Sequence, residues 1–255
     1  MSALSWQPAA HQPLPAADEV HVWRIDLAAG AGSPAAATLL SFDERDRAAR
    51  LLCEHKRTRF IAGRSALRRL LGQYLDKAPQ TLVFRYGPHG KPALVTAAPE
   101  TILTFNFSHS EDLALLAVAT GREVGIDIEY RHRDISVVPF ARHILSENEA
   151  AALQRLPEEQ HQQALLAAWT RKEAYVKALG EGLARSLKSF SAGIAVDEPA
   201  VRRLEDANGE PHTWTFTPLA VHPDYLACVA APGSDWAPRC LDWQPARQAT
   251  SAHPA

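Results

Sequence analysis

Hydrophobic and polar positions along the first half of the chain predict several strands around a helical region. The segment from Val20 to Leu27 alternates as a half-buried strand does, whereas residues 41–74 carry apolar side chains at helical spacing and predict one or two helices. Further strands are expected where short apolar stretches lie between turn residues: LVFRY at 82–86, LTFNFS at 103–108 and LALLAVAT at 113–120. This half of the chain is therefore expected to combine helices with a sheet.

The second half of the chain shows a similar mixture. A strand is predicted at 123–130 (EVGIDIEY), and Ser146 has the hydroxyl and the position of a helix N-cap. Pro157 interrupts that helix, and a long helix then extends through residues 162–179 to Gly180, whose missing Cβ suits a left-handed C-cap. The last predicted strands are KSFSAGIAVD at 188–197, HTWTFTPL at 212–219 and YLACVAAP at 225–232.

Each half thus pairs helices with several strands, which predicts an α+β fold made of a duplicated unit, although no repetition is visible residue by residue. We divide the chain into four parts on this basis. They are a loose leader at 1–19, an N-terminal subdomain at 20–121, a C-terminal subdomain at 122–243 and a flexible tail at 244–255.

Composition and charge describe an ordinary globular protein and exclude several partners. The 255 residues are 46% hydrophobic and 22% charged, with a formal net charge of −2. Without a broad basic field, binding to nucleic acid or to an anionic membrane is not expected, and the longest apolar run, residues 113–119, is too short to cross a bilayer. The three cysteines fit neither a disulfide framework nor a metal site, and the N-terminus lacks an export signal, which indicates a cytoplasmic protein.

Two carboxylates in the strand predicted at 123–130 form the first candidate site. Asp127 and Glu129 are two residues apart, so on a strand they share one face while Ile126 and Ile128 share the other. Like charges this close repel each other unless a proton or a cation lies between them, and Mg²⁺ bound to a diphosphate meets that need. The alternative is a solvated acidic face at a sheet edge, which is the commoner meaning of this pattern taken alone.

The long helix predicted at 162–179 carries the second candidate site. Glu173 and Lys177 are four residues apart and share a helix face, where they form either an exposed ion pair or a functional pair. In the functional interpretation, Glu173 supplies a third carboxylate and a general base, and Lys177 faces a departing phosphate. Trp169 and Tyr175 of the same helix are interpreted as core residues.

Two polar turns complete the candidate chemistry. Ser108 and His109 lie between two predicted strands, where they either bind a phosphate or make structural hydrogen bonds; as neighbours on an extended chain they do not form a nucleophile and its base. The segment GPHGKP at 87–92 is not a nucleotide-binding P-loop, because Pro92 stands in place of the metal-binding hydroxyl. It predicts a tight turn that presents Lys91.

Together the sequences GKP, FSHS, GIDIE and WTRKEAYVKALGEGL resemble, in this order, the motifs of the Sfp-type 4'-phosphopantetheinyl transferases, over residues 41–190. The resemblance implies that Mg²⁺ joins the three acids Asp127, Glu129 and Glu173 to the diphosphate of coenzyme A. It further implies that coenzyme A phosphates contact basic and hydroxyl side chains. These are Lys91, Ser108, His109, Lys177 and Arg47, the last matched by its spacing upstream of the AGR helix to a basic residue for the 3'-phosphate.

The same resemblance implies a reaction and its partners. The phosphopantetheine arm of coenzyme A would pass to a serine of an apo acyl carrier protein, or of a peptidyl or aryl carrier domain, with release of 3',5'-ADP. Glu173 would accept the serine proton and Lys177 would stabilise the leaving phosphate. Because both halves lie in one chain, a monomer with its active site between two similar subdomains is expected.

Other functions compatible with the same residues are a coenzyme A-binding protein without activity and a Mg²⁺-dependent phosphatase or nuclease. The second would release 3',5'-ADP without a carrier. The arginines of residues 45–69 are interleaved with apolar and acidic positions, so a solvated helix face explains them better than nucleic-acid binding does. The apolar segment from Ile135 to Phe140 is interpreted either as a docking surface for the carrier or as a cover of the core.

Overall fold

The computed structural model describes residues 4–29, 34–95, 103–133, 136–205 and 210–244. Its strands are β1 (Gln7–Ala9), β2 (Glu19–Asp26), β3 (Phe84–Tyr86), β4 (Pro92–Leu94), β5 (Leu103–Ser110), β6 (Leu113–Thr120), β7 (Gly125–Tyr130), β8 (Ala200–Glu205), β9 (Pro211–Pro218), β10 (Tyr225–Pro232) and β11 (Ala237–Trp243). Its helices are α1 (Pro34–Ala37), α2 (Phe42–Ala49), α3 (Glu54–Leu75), α4 (Val137–Ile144), α5 (Glu147–Leu153) and α6 (Glu158–Leu179). The mixture confirms the predicted α+β class.

The first sheet has the order β1-β11-β2-β6-β5 and packs one face against α3. Along β6 the side chains at 114, 116 and 118 meet α3, while those at 115, 117 and 119 meet the second sheet. Burial on both faces explains why the sequence LALLAVAT is apolar at every position except its end, where an amphipathic strand would alternate.

The second sheet has the order β7-β10-β9-β8 and is antiparallel throughout. Helix α6 covers one face, where Tyr175 of the helix packs edge-on against Trp214 of β9 with ring centroids 4.8 Å apart. The other face packs against the first sheet through Ile126 and Ile128. The molecule is thus layered as α3, first sheet, second sheet and α6, which gives each half one long helix on one sheet.

Several boundaries differ from the sequence-based prediction. The strand predicted at 188–197 is wrong, because carbonyls of this segment accept hydrogen bonds from two buried cations of α6. Lys172 Nζ donates to Leu187 O at 2.6 Å and to Phe190 O at 2.5 Å, and Arg171 binds Ala192 O at 3.2 Å. The backbone of this segment therefore does not form a ladder, and the strand β8 begins only at Ala200.

Both ends of the described chain join the first sheet, which the local pattern does not predict. Strand β1 lies inside the predicted loose leader, yet it pairs in parallel with β11, and Trp6 Nε1 donates to Ala220 O at 2.7 Å. Strand β11 lies in the predicted C-terminal subdomain but pairs in parallel with β2. Residues 245–255 of the predicted flexible tail lie outside the described residues, as do residues 1–3 of the leader.

The predicted cap residues Ser146 and Gly180 are confirmed, whereas α6 begins at Glu158, four residues before the predicted start at 162. Ser146 caps α5 with a full capping box, in which its side chain accepts from Glu149 N and the Glu149 side chain accepts from Ser146 N. Pro157 immediately precedes α6, and Gly180 ends that helix with a φ of 74°, in the left-handed region. Among the described residues, no helix combines the length and the apolar character needed to cross a membrane.

Candidate functional site

The two sheets meet where the edge strand β5 of the first lies beside the edge strand β7 of the second. Side chains of β5 bind backbone groups of β7: Ile126 N donates to Asn106 Oδ1 and Tyr130 N donates to Ser110 Oγ, both at 3.0 Å. Between these bonds, Ser108 Oγ donates to Asp127 Oδ1 at 2.9 Å. The motifs FSHS and GIDIE, 19 residues apart at this bond, therefore form one surface.

Helix α6 lies unusually close to β7 because residue 125 has no side chain. A Cβ built on Gly125 would stand 1.8 Å from Ala174 O and 2.6 Å from Ala178 N, both backbone atoms of the helix. This approach brings Glu173 and Lys177 over the strand face that carries Asp127 and Glu129. The prediction that the two acids share one face and the two isoleucines the other is confirmed, since Ile126 and Ile128 pack between the sheets.

Asp127 is the centre of this arrangement and is only 4% exposed. Its Oδ1 accepts from Lys177 Nζ at 2.5 Å and from Ser108 Oγ, and Lys177 Nζ also donates to Ser108 Oγ at 3.0 Å. Asp127 Oδ2 is buried without a hydrogen-bond partner among the described residues. Lys177 thus pairs with Asp127, and the exposed Glu173–Lys177 ion pair that sequence spacing allowed does not account for the site.

Glu173 is the second acid of the site with an oxygen that lacks a hydrogen-bond partner among the described residues. Its Oε1 is buried and has no hydrogen-bond partner in the described part of the chain. Burial, followed by the negative charge of Asp127, raises the pKa of Glu173 to about 7, against the opposing effect of Lys177. A carboxyl group with this pKa exchanges protons at neutral pH, as a general base must.

Raising the pH is expected to destabilise the cation-free protein relative to a Glu173→Gln variant. The pKa of Glu173 is about 7 in the folded protein, against the ordinary value of 4.5 for a glutamate in water, so between these values the folded protein binds more protons than the unfolded chain. The stability contributed by the neutral carboxyl is therefore present below this interval and lost as pH rises through it. Urea unfolding of both proteins with a chelator, across this interval, measures the difference; a difference that does not change with pH contradicts the assignment.

Glu129 is held by two donors. Its Oε1 accepts from Trp169 Nε1 at 2.8 Å, and its Oε2 lies 2.7 Å from Arg133 NH1. Burial and the charge of Asp127 nevertheless raise the pKa of Glu129. Trp169 therefore has a polar contact with the acidic site, which its interpretation as a core residue missed; the indole N–H in the motif was the available signal.

The chemistry of the three acids fits a divalent cation. Asp127 and Glu173 each have a buried oxygen without a hydrogen-bond partner among the described residues, and the negative charge of Asp127 raises the pKa of both Glu129 and Glu173, as expected where a cation is to be bound. Within the described ranges, however, no group of three or more His, Cys, Asp or Glu side chains is positioned so that it could hold a metal ion. The ammonium of Lys177 lies against Asp127 instead.

A groove of about 720 Å³ lies between α2, α3 and the exposed end of β5. Most of its arginines are neutralised by acids: Arg59 pairs with Glu111 and Asp112, Arg64 with Glu44, and Arg50 with Asp46. Arg47 instead rests its guanidinium over the Phe60 ring, 5.4 Å from the centroid, with no acidic partner among the described residues. The groove therefore offers an arginine for an anion, together with His109 on its wall.

His109 is the penultimate residue of β5 and its only exposed side chain. The turn predicted around it is wrong, because the strand continues to Ser110 and the turn follows at Glu111, with a φ of 47°. Although the ring is exposed, the surrounding protein partly desolvates it. This desolvation, followed by the positive charge of Lys177, lowers the pKa of His109. A neutral imidazole that faces Arg47 can gain a proton when an anion enters the groove.

Lys91 takes a different position from the other predicted phosphate contacts. Its Nζ binds Glu123 Oε2 at 2.7 Å and Ala178 O at 2.5 Å, near the end of α6. Its neighbours Gly90 and Pro92 line the groove, but the side chain itself is directed at the helix terminus.

Of the eight predicted site residues, the structure brings Ser108, Asp127 and Lys177 into direct contact. Glu129 and Glu173 border them, His109 and Arg47 line the adjoining groove, and Lys91 contacts neither group.

Each half of the chain matches a known family model. Residues 123–230 match the family model described as "4'-phosphopantetheinyl transferase superfamily". Residues 32–121 match the family model described as "4'-phosphopantetheinyl transferase, N-terminal". The two matches meet within the turn between β6 and β7, so the acids of β7 and α6 fall in one and the groove in the other.

Individual proteins with this name are similar over most of the chain. The 4'-phosphopantetheinyl transferase HetI of Nostoc sp. is 37% identical over 240 residues, which cover 92% of this chain and 97% of the relative. AcpT of Escherichia coli O157:H7 is 35% identical over 167 residues, covering 64% and 80%. A 4'-phosphopantetheinyl transferase of Bacillus subtilis is 29% identical over 209 residues, covering 73% and 89%.

Proposed function

Because the chain belongs to the 4'-phosphopantetheinyl transferase superfamily, we propose that it moves the 4'-phosphopantetheine arm of coenzyme A onto a serine of an apo carrier protein. The observation that carries this proposal is the Glu173 carboxylate beside Asp127 and Lys177, whose Oε1 is buried without a hydrogen-bond partner among the described residues. It places a base next to a second acid and a positive charge.

Mg²⁺ is the proposed cofactor, and Asp127, Glu129 and Glu173 are the residues that would hold it. Two buried oxygens without partners support this assignment. The ion would supply positive charge to the diphosphate of coenzyme A. The rest of the chemistry is assigned to side chains of the protein.

In the proposed reaction the hydroxyl oxygen of the carrier serine attacks the phosphorus attached to pantetheine. A new serine–phosphate bond forms, the phosphoanhydride bond breaks, and its electron pair leaves on 3',5'-ADP. Glu173 takes the serine proton, directly or through a water, since its carboxylate lies at the site beside Asp127 and Lys177. Lys177, 30% exposed at its side chain, offers its charge to the developing negative charge on the leaving phosphate.

The groove beside Ser108 is the proposed site of the nucleotide end of coenzyme A. Arg47, which has no acidic partner among the described residues, is proposed to bind the 3'-phosphate, and His109 to contact a phosphate at the strand end. Lys91 remains a proposed phosphate contact only if its ammonium leaves Glu123. Ser108 would contact a coenzyme A phosphate once Lys177, which now donates to its hydroxyl, turns toward the diphosphate.

The carrier is proposed to dock on α4, which follows the metal-binding strand. Val138 of this helix is 62% exposed, whereas Phe140 is half-buried against Trp169, with ring centroids 5.0 Å apart. The segment predicted as either a docking surface or a core cover therefore divides between both roles, and Ile135 lies outside the described residues. An exposed apolar side chain on the helix that follows β7 is what a partner surface offers. Both halves of the proposed site come from one chain, and a monomer stays a prediction.

Incubation of the purified protein with coenzyme A, Mg²⁺ and a panel of apo carriers tests the proposal. The panel covers fatty-acid, polyketide, nonribosomal-peptide and lysine-pathway carriers, and intact-mass spectrometry is expected to show at least one gaining one phosphopantetheine. A chelator and a carrier with its serine replaced by alanine are expected to prevent the gain. Release of 3',5'-ADP without any carrier would instead identify a hydrolase, and no mass gain with any carrier would contradict transfer.

A further inference from the structure

Trp169 contacts both the acidic site and α4. Its indole N–H donates to Glu129 Oε1 at 2.8 Å, and its ring packs against Phe140 of α4 at a tilt of 46°, with ring centroids 5.0 Å apart. The side chain is partly buried at the border of the core around α6. Its polar atom therefore has a defined partner in the acidic site, while its ring is held in place by α4.

The second oxygen of Glu129 is restrained from the same direction. Arg133, which lies between β7 and α4 in the chain, has NH1 2.7 Å from Glu129 Oε2. Arg133 is exposed, whereas the Trp169 ring is packed against Phe140, so the tryptophan is the more rigidly held of the two donors. Without them, Glu129 would be repelled by Asp127 on the same strand face.

We propose that Trp169 is a positioning residue, whose indole N–H fixes the carboxylate of Glu129 for cation binding and ties it to α4. The inference rests on the proposed cation site, but it concerns an orientation that the three acids alone do not provide. A donor that orients a metal ligand typically changes metal affinity by about 10–100-fold when it is removed. Carrier docking on α4 would act on Glu129 through the same ring.

Trp169→Phe removes the N–H and keeps a ring against Phe140, so it separates orientation from packing. The matched control is Trp214→Phe, because Trp214 is equally a tryptophan of this core but its Nε1 is buried without a hydrogen-bond partner among the described residues. Both variants are first compared with wild type in urea unfolding. Since Trp214 is more deeply buried than Trp169, its variant is expected to lose at least as much packing, and a loss of Mg²⁺ affinity confined to Trp169→Phe then reports the lost bond to Glu129.

Binding of Mg²⁺ to the protein without coenzyme A, measured by calorimetry, is the primary readout. Trp169→Phe is expected to weaken the affinity by about tenfold, whereas Trp214→Phe leaves it unchanged. In a double-mutant cycle, Trp169→Phe in the background of Glu129→Gln is expected to have little further effect, since the two side chains act together. Wild-type affinity in Trp169→Phe, or full additivity in the cycle, overturns the inference.

Transfer assays separate this inference from the proposed function. The Trp169→Phe protein is expected to need about tenfold more Mg²⁺ for half-maximal transfer, and to approach the wild-type rate when Mg²⁺ is saturating. A lower rate at all Mg²⁺ concentrations, with unchanged Mg²⁺ dependence, contradicts a positioning role. Failure of the wild type to transfer any phosphopantetheine contradicts the proposed function, while the calorimetric comparison still tests the role of Trp169.

Discussion

Glu173→Gln is expected to lower the rate of phosphopantetheine transfer by at least about 10³-fold, while the affinity for coenzyme A remains close to that of wild type. The substitution keeps the size of the side chain but removes both the base and one of the three cation-binding acids. Coenzyme A affinity is retained because the groove with Arg47 and His109 is unchanged. Since glutamine is neutral, the repulsion with Asp127 also disappears, and stability above neutral pH is expected to rise.

Intact-mass analysis of the carrier in timed samples measures the transfer rate, and calorimetry measures coenzyme A binding. The matched control is Glu158→Gln, the same chemical change at an exposed position in the first turn of α6. This control is expected to transfer at the wild-type rate. Undiminished transfer by Glu173→Gln would remove Glu173 from the mechanism, whereas loss of coenzyme A binding would show that it supports the groove instead.

The local pattern was sufficient to predict the faces of β7, the start of α5 and the end of α6, because these features depend on neighbouring residues. Alternation alone separates Asp127 and Glu129 from the isoleucines, and Ser146 and Gly180 act within one helical turn. The strand β11 was missed for the opposite reason. Its pairing with β2 joins residues more than 200 positions apart, and no local signal specifies such a partner.

The local pattern also could not predict which charged side chains of the site pair with each other. Spacing pairs Lys177 with Glu173, but a buried Asp127 at 2.5 Å attracts the ammonium more strongly than a helix neighbour does. The partner of Lys172, the residue before Glu173 in the same motif, is likewise not predictable from spacing. Its buried ammonium pairs with Glu149 at 2.7 Å and donates to backbone carbonyls. Such pairs depend on which elements pack together, and this information is not present in a single segment.

Gly125→Ala is expected to destabilise the protein by about 3 kcal/mol or more and to lower transfer together with stability. The new Cβ would lie 1.8 Å from Ala174 O and 2.6 Å from Ala178 N, so the clash involves the backbone of α6 rather than a flexible side chain. The helix must move away from β7 to relieve it. Glu173 and Lys177 would then withdraw from Asp127, and the distances on which the proposed mechanism depends would increase.

Urea unfolding measures the loss of stability, and the mass assay measures transfer by the protein that remains folded. Gly87→Ala is the matched control, because its Cβ would meet nothing closer than Lys91 O at 3.7 Å, an ordinary contact. Its stability is expected to stay within about 0.5 kcal/mol of wild type. A Gly125→Ala protein with wild-type stability would show that α6 can shift at little cost. If it also transferred normally, the close approach of helix and strand would not be what sets the geometry of the acids.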